Sequence, residues 1–225
     1  MNETSRAPQR VNYYSISEDV GKAADEVLHT CDQLSKVSPT DQPTKYLGDK
    51  ENGDKSPLNG AWKLLFTTAA DASFSKNSRR GDAKAQNVVD SAKGKITNII
   101  DFSSKNGSEP VLKQLNVVIK ATVVNDTRVE LQFRYAKALL TKFFFIPLFD
   151  RTLAIYIPVP GPFITRIIVF FSRLFRFGRK SVKKVPKAYF DILYLDKYLR
   201  IHKTGEDNIF VQARESWDAA GTLLK

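Results

Sequence analysis

The chain has 225 residues, 42% of them hydrophobic and 26% charged, a balance that excludes intrinsic disorder and allows a sizeable buried core. Its formal net charge of +11 raises a polyanionic partner, nucleic acid or an anionic membrane surface, as a possibility to be tested against the rest of the sequence. One cysteine, Cys31, excludes a disulfide framework and a cysteine zinc cluster, and the two histidines, His29 and His202, lie too far apart in sequence to suggest a shared site.

Residues 15–37 read as an amphipathic helix. Ser17 supplies an N-cap and Glu18 and Asp19 an acidic first turn. Val20, Ala23, Ala24, Val27, Leu28, Cys31 and Leu34 then recur at helical spacing until Ser38-Pro39. Residues 40–57 are polar, with interspersed Pro and Gly, and predict a surface linker. From Asn59 the period changes to two, with Trp62, Leu64 and Phe66 alternating with Lys63 and Thr67. A short helix or loop is predicted around 83–91, leading to Ile96, Ile100 and Phe102.

The clearest hairpin follows. Leu115, Val117, Ile119, Ala121 and Val123 share one face, Asn125-Asp126 turns the chain, and Val129, Leu131, Phe133 and Tyr135 answer on the returning strand. Stretches 153–157, 190–195, 198–202 and 209–214 add four strand candidates. About eight strands in mostly meander order predict a mainly β fold, an antiparallel eight-stranded barrel that leaves no open edge. A β-sandwich has similar periodicity.

The excess charge is concentrated. Residues 1–75 hold 8 Lys/Arg against 11 Asp/Glu, whereas 163–187 hold 8 basic residues and no acidic one. Prolines 147, 158, 160 and 162, with Asp150 and Arg151, break the long apolar region that precedes and enters this segment, so no transmembrane helix is predicted. Read as a helix, residues 163–177 place Arg166, Ser172, Arg173 and Arg176 in a narrow polar stripe beside Phe170, Phe171, Phe175 and their apolar neighbours. Lys183 and Lys184 belong to the basic cluster that follows. This is an additional basic amphipathic helix, with Arg166, Phe170, Phe171, Arg173, Phe175, Arg176, Lys183 and Lys184 as candidate membrane contacts. The alternative is a lid across the barrel mouth with its cations in water. Nucleic acid fits poorly, because the aromatics are embedded among aliphatic residues rather than set out for stacking on bases.

Two blocks carry a family resemblance. Leu58-Asn59-Gly60-Ala61-Trp62-Lys63-Leu64-Leu65-Phe66-Thr67-Thr68 is similar to the opening strand of the plastid lipid-associated protein (fibrillin) family. Tyr194-Leu195-Asp196-Lys197-Tyr198-Leu199-Arg200-Ile201, then Gly205 and Phe210-Val211, resembles its closing strands. The chain departs from the pattern at Glu206-Asp207-Asn208, where a glycine-rich turn is usual, and in a longer, more basic 160–187.

The resemblance implies a lipocalin-like barrel that binds or carries an isoprenoid, carotenoid, quinone or fatty-acid-like ligand without catalysis, at plastid thylakoids or plastoglobules. No transit peptide is evident. Residues 1–57 form an N-terminal helix and linker, and 58–225 the barrel with 160–187 inserted. The candidate ligand-binding residues are Trp62, Leu64, Phe66, Ile100, Leu131, Phe133, Tyr135, Tyr194 and Arg200. Arg200 can stack on Trp62 as a cation–π pair, either beside a ligand or only as a staple of the barrel floor. The partners expected are a hydrophobic small molecule or lipid, a peripheral membrane surface and a protein, with no nucleic acid and no cofactor. The competing reading is an interaction or scaffold protein with a filled barrel that docks an enzyme or membrane through its basic helix. Enzymatic chemistry finds no nucleophile, metal or phosphate-loop motif. Asp101, Asp191 and Asp196 would qualify as acid or base only if buried and paired.

Overall fold

Ser17 starts the N-terminal helix as its sequence pattern requires. In the computed structural model its hydroxyl accepts from the Val20 N–H, and helix α1 runs over Glu18–Ser35. Gly21, Ala24 and Cys31 form the buried stripe of α1, while Val20 and Val27 stay at its exposed rim. The structure describes residues 10–69, 83–103, 110–143, 146–147, 152–158 and 188–214. The predicted basic amphipathic helix, with all eight of its candidate membrane contacts, lies outside them.

Eleven strands follow among the described residues: β1 (Gly60–Thr67), β2 (Ala83–Asp90), β3 (Lys95–Phe102), β4 (Leu112–Val123), β5 (Arg128–Leu140), β6 (Lys142–Phe143), β7 (Ile146–Pro147), β8 (Leu153–Pro158), β9 (Tyr189–Leu195), β10 (Leu199–Thr204) and β11 (Ile209–Ala213). β6 and β7 pair only with each other. The other nine make one antiparallel sheet, where the sequence predicts eight strands. A further correction concerns 83–91. The predicted short helix or loop is strand β2, whose Ala83–Asp90 pairs residue by residue with β3. Its polar Lys84, Gln86 and Asn87 hide the strand from a reading based on apolar alternation.

The sheet is ring-like. β1 to β5 pair in sequence order, β5 pairs β9, and β9, β10 and β11 lead back to β1. The β5–β9 joint is short, Arg128–Glu130 against Asp191–Tyr189, because the second half of β5 leaves to pair with β8. A bidentate ion pair pins the joint: Arg128 Nε and Nη2 donate to the Asp191 carboxylate at 2.6 and 2.8 Å. The pair holds the ring shut where backbone pairing is thinnest.

One end of the ring is closed by the segment read as a surface linker. Thr40 Oγ1 donates to the Leu195 carbonyl, Thr44 N–H and Oγ1 donate to the Asp126 and Asn125 carbonyls, and Gly48 N–H donates to the Ser91 carbonyl. The segment therefore straps the end of β9, the β4–β5 turn and the β2–β3 turn. Leu47 and Leu58 enter the core from it. Gly53 permits the close approach, since a Cβ there would lie 2.3 Å from the Ala92 backbone. Asp41, Gln42, Lys45, Lys50, Glu51, Asp54 and Lys55 are exposed, as a surface segment requires, while Thr40 and Thr44 bond to the turns beneath.

Candidate functional site

Registered partners in a sheet project to the same face, so the pairing fixes which side chains point into the ring. Trp62, Asn87, Asn98 and Val117 form one inward row across β1 to β4, and Val89, Ile96 and Ile119 form the next row toward the strap. Ala85, Ile100 and Leu115 form a row on the other side, farther from it. The inward core joins Leu47, Leu58, Trp62, Val89, Ile96, Ile119, Ala121, Val129, Phe190, Ile192 and Leu195, with Val117, Leu131 and Phe133 packed against it.

Of the nine predicted ligand-binding residues, six face this interior: Trp62, Leu64, Ile100, Leu131, Phe133 and Arg200. Phe66, Tyr135 and Tyr194 face outward, and a register shift explains each. The shift between Leu64 and Phe66 leaves Leu65 unpaired and turns Phe66 to Val211 on the outer face. The shift at Val118/Ile119 leaves Arg134 extra and sets Tyr135 against Val118. The shift at Ile201/His202 leaves Leu193 extra and sets Tyr194 against Ile201. A bulge reverses the alternation beyond it, which a strict period of two cannot register. Phe66 and Tyr194 belong to an outer cluster with Cys31, Ile201 and Val211, beside Leu34 of α1, and Tyr13 stacks on Phe66 at 5.4 Å. Tyr135 is on the open surface, 6.0 Å from Tyr156.

The closed end is built on Trp62. Its ring is fully buried, and its indole N–H donates to the Leu58 carbonyl at 2.9 Å. Two guanidinium groups approach the ring, Arg200 at 4.8 Å and Arg214 at 4.1 Å. Arg214 donates to the Asn59 and Pro57 carbonyls, which ties β11 to the start of β1. Gly60 adopts φ +110°, and a Cβ there would meet Arg214 Nη1 at 2.6 Å. The glycine of the Gly-x-Trp block therefore serves both the backbone turn and the seating of that guanidinium. The stacking of Arg200 on Trp62 agrees with the expectation from sequence.

Above this contact lies a polar belt that the sequence reading missed. Arg200 Nε and Nη2 donate to Gln212 Oε1, Nη2 also donates to Asn87 Oδ1 at 2.6 Å, and Asn87 donates to Asn98 Oδ1. Burial, reinforced by Arg214, lowers the Arg200 pKa to about 9. His202 lies two residues along β10 on the same inward face, between Phe190 and Phe210 at 4.8 and 5.1 Å. Burial and the nearby Arg200 hold its pKa well below the usual imidazole range, so the ring is neutral. The alternation of Arg200, His202 and the inward partner Gln212 was the available signal for the belt. Asn87 was hidden because its strand was not recognised.

Toward the other end the inward side chains are less covered. Leu64, Ala85, Ile100 and Leu115 are only half-buried, in contrast to Val89, Ile96 and Ile119, whereas along β5 the half-buried Leu131 and Phe133 lie nearer the strapped β4–β5 turn than the buried Ala136 and Ala138. Among the described residues no charged inward group joins them. The three carboxylates considered for catalysis are engaged otherwise: Asp191 with Arg128, Asp101 with Gln114, and Asp196 with the Tyr198 and Leu199 N–H groups of its turn. Among the described residues no three His, Cys, Asp or Glu side chains gather as a metal would require, and no helix is long and apolar enough to cross a membrane. A separate cleft of about 340 Å³ lies outside the ring at the strapped end, lined by Thr40, Pro57, Asp196, Lys197 and Arg214.

Neither the comparison with curated proteins nor that with solved structures gives a match. The PAP_fibrillin family model matches residues 17–213, which takes in α1, the strap and the ring from β1 to β11. The chain belongs to the PAP_fibrillin family, the plastid lipid-associated proteins.

Proposed function

We propose that this chain is a non-enzymatic, lipocalin-like barrel that holds a hydrophobic ligand of lipid, isoprenoid, carotenoid or quinone type at plastid thylakoids or plastoglobules. The observation that carries the reading is the contrast along the ring's interior. Across β2 to β4 the inward side chains nearest the strap, Val89, Ile96 and Ile119, are buried, whereas Ala85, Ile100 and Leu115 in the row farthest from it are half-buried. A ring of eight strands is wide enough to enclose one small ligand, and a barrel mouth is a usual place for one. On this reading residues 58–225 are the binding unit, and 1–57 strap one end and cover one face. Leu64, Ile100, Leu131 and Phe133 line the ligand, and Trp62 and Arg200 form the floor beneath it.

Ala85→Phe tests this directly, because Ala85 faces inward in the half-covered row. In a hollow barrel the added ring is accommodated and occupies the ligand's space. Titration with a prenylquinone, a carotenoid and a fatty acid, followed by tryptophan fluorescence and native mass spectrometry, is then expected to show roughly tenfold weaker binding with an unchanged melting temperature. In a filled barrel the same substitution overpacks the core, costing about 1–3 kcal/mol. That outcome, with no ligand bound by the wild type, would support the scaffold reading instead.

The membrane-contact assignment to Arg166, Phe170, Phe171, Arg173, Phe175, Arg176, Lys183 and Lys184 rests on the sequence pattern alone. Liposome flotation with anionic lipid is expected to lose the protein when 163–187 is deleted. Unchanged flotation would remove this segment as the anchor.

A further inference from the structure

Arg200 is 1% exposed, yet every acceptor that reaches it is a neutral amide oxygen, from Gln212 or Asn87. Among the described residues no carboxylate bonds to it, and the one charged group acting on it is a second cation, Arg214. Its Nη1 has no hydrogen-bond partner. Two residues along the same inward face, His202 Nδ1 is likewise buried without a partner. A buried charge is normally paired, and a buried polar atom is normally bonded. Ser56 Oγ, Ser91 Oγ and Asn116 Oδ1 are also buried without partners, but these two nitrogens lie together on one strand, facing the interior of a ring whose remaining inward surface is mostly apolar.

The Nε/Nη2 edge of a guanidinium is the fork that ordinarily takes a carboxylate. Here a single amide oxygen of Gln212 occupies it. We infer that the ring takes up a single-chain amphiphile head-first, its carboxylate paired with Arg200 beside His202 and its apolar tail along Leu64, Ile100 and Leu115. The head supplies the negative charge that the buried guanidinium lacks. It enters the Nε/Nη2 fork by displacing the Gln212 amide oxygen that occupies it, which brings the negative charge beside the unpartnered Arg200 Nη1 and His202 Nδ1. A carboxylate fits better than a phosphate, since one anionic charge balances the one buried cation of the belt.

This inference rests on the hydrophobic-ligand reading, and the experiment separates the two. The full-length chain is titrated with palmitic acid, methyl palmitate and hexadecanol at mildly alkaline pH, following tryptophan fluorescence and native mass spectrometry. The acid is expected to bind roughly tenfold or more tightly than the ester or the alcohol. Gln212→Glu places a fixed carboxylate in the guanidinium fork without removing a side chain. It is expected to abolish the preference for the acid while the ester still binds, and its melting temperature reports that the fold is intact. Arg200→Met is expected to do the same where it folds. Equal binding of acid and ester by the wild type, or an acid preference that survives in Gln212→Glu, overturns the inference and leaves the hydrophobic-ligand reading standing. Binding of none of the three overturns the inference, and binding of neither these nor a prenylquinone or carotenoid overturns both.

Discussion

Trp62→Ala is expected to destabilise the fold by about 3–5 kcal/mol, the range for removing a large buried aromatic from a packed core. The side chain is fully buried at the point where the strap, β1, β10 and β11 meet. Its loss opens a cavity in the part of the ring that is already filled. The loss also strips the aromatic face from Arg200 and Arg214, leaving two cations near each other without the ring that separates them. Typical domains are stable by only about 5–15 kcal/mol, so this one change removes a large share. Trp62→Phe keeps a ring between the arginines and gives up only the bond from the indole N–H to the Leu58 carbonyl. It is expected to cost about 1–3 kcal/mol. Urea unfolding of the three proteins checks the order. A Trp62→Ala variant within about 1 kcal/mol of wild type would show that the strapped end does not depend on this residue.

The importance of Trp62 was legible from sequence, and so was its stacking on Arg200, because both sit in blocks with strong local patterning. The β4–β5 hairpin was equally legible, since five apolar residues on one strand face four on the next across an Asn-Asp turn. Three of the nine interior assignments were not. Phe66, Tyr135 and Tyr194 each follow a β-bulge, and a bulge arises from strand pairing rather than from any residue pattern at the site. Strand β2 was missed for a related reason. Its inward row carries Ala85 and Asn87 rather than large apolar residues, and Asn87 is there because Arg200 reaches it from the far side of the ring. The strap shows the same limit. Most of its polar residues do face solvent, and the few that hold turns far away in sequence, Thr40 and Thr44, carry no local mark that sets them apart. Local pattern thus identified most elements and the keystone, whereas the polar belt is joined by a contact between Arg200 and Asn87, 113 positions apart.

The belt also predicts how stability depends on acidity. His202 is packed between Phe190 and Phe210 with its Nδ1 unpartnered. Burial first, and then the charge on Arg200, keep its pKa well below the ordinary 6.5. The unfolded chain therefore takes up a proton at His202 on acidification through that value, while the folded chain does not. With more protons bound to the unfolded state, stability falls as pH falls below about 6.5, and the loss continues until the depressed folded pKa is reached. Its limiting slope is about 1.4 kcal/mol per pH unit, and at higher pH His202 contributes no slope. His202→Phe keeps an aromatic ring between the two phenylalanines and removes the titrating group. Urea unfolding of wild type and variant across the mildly acidic range is expected to show the wild type losing stability relative to the variant by up to that slope. Parallel curves would mean that the folded ring protonates as readily as the unfolded chain, and that the interior around Arg200 and His202 is open to water rather than sealed.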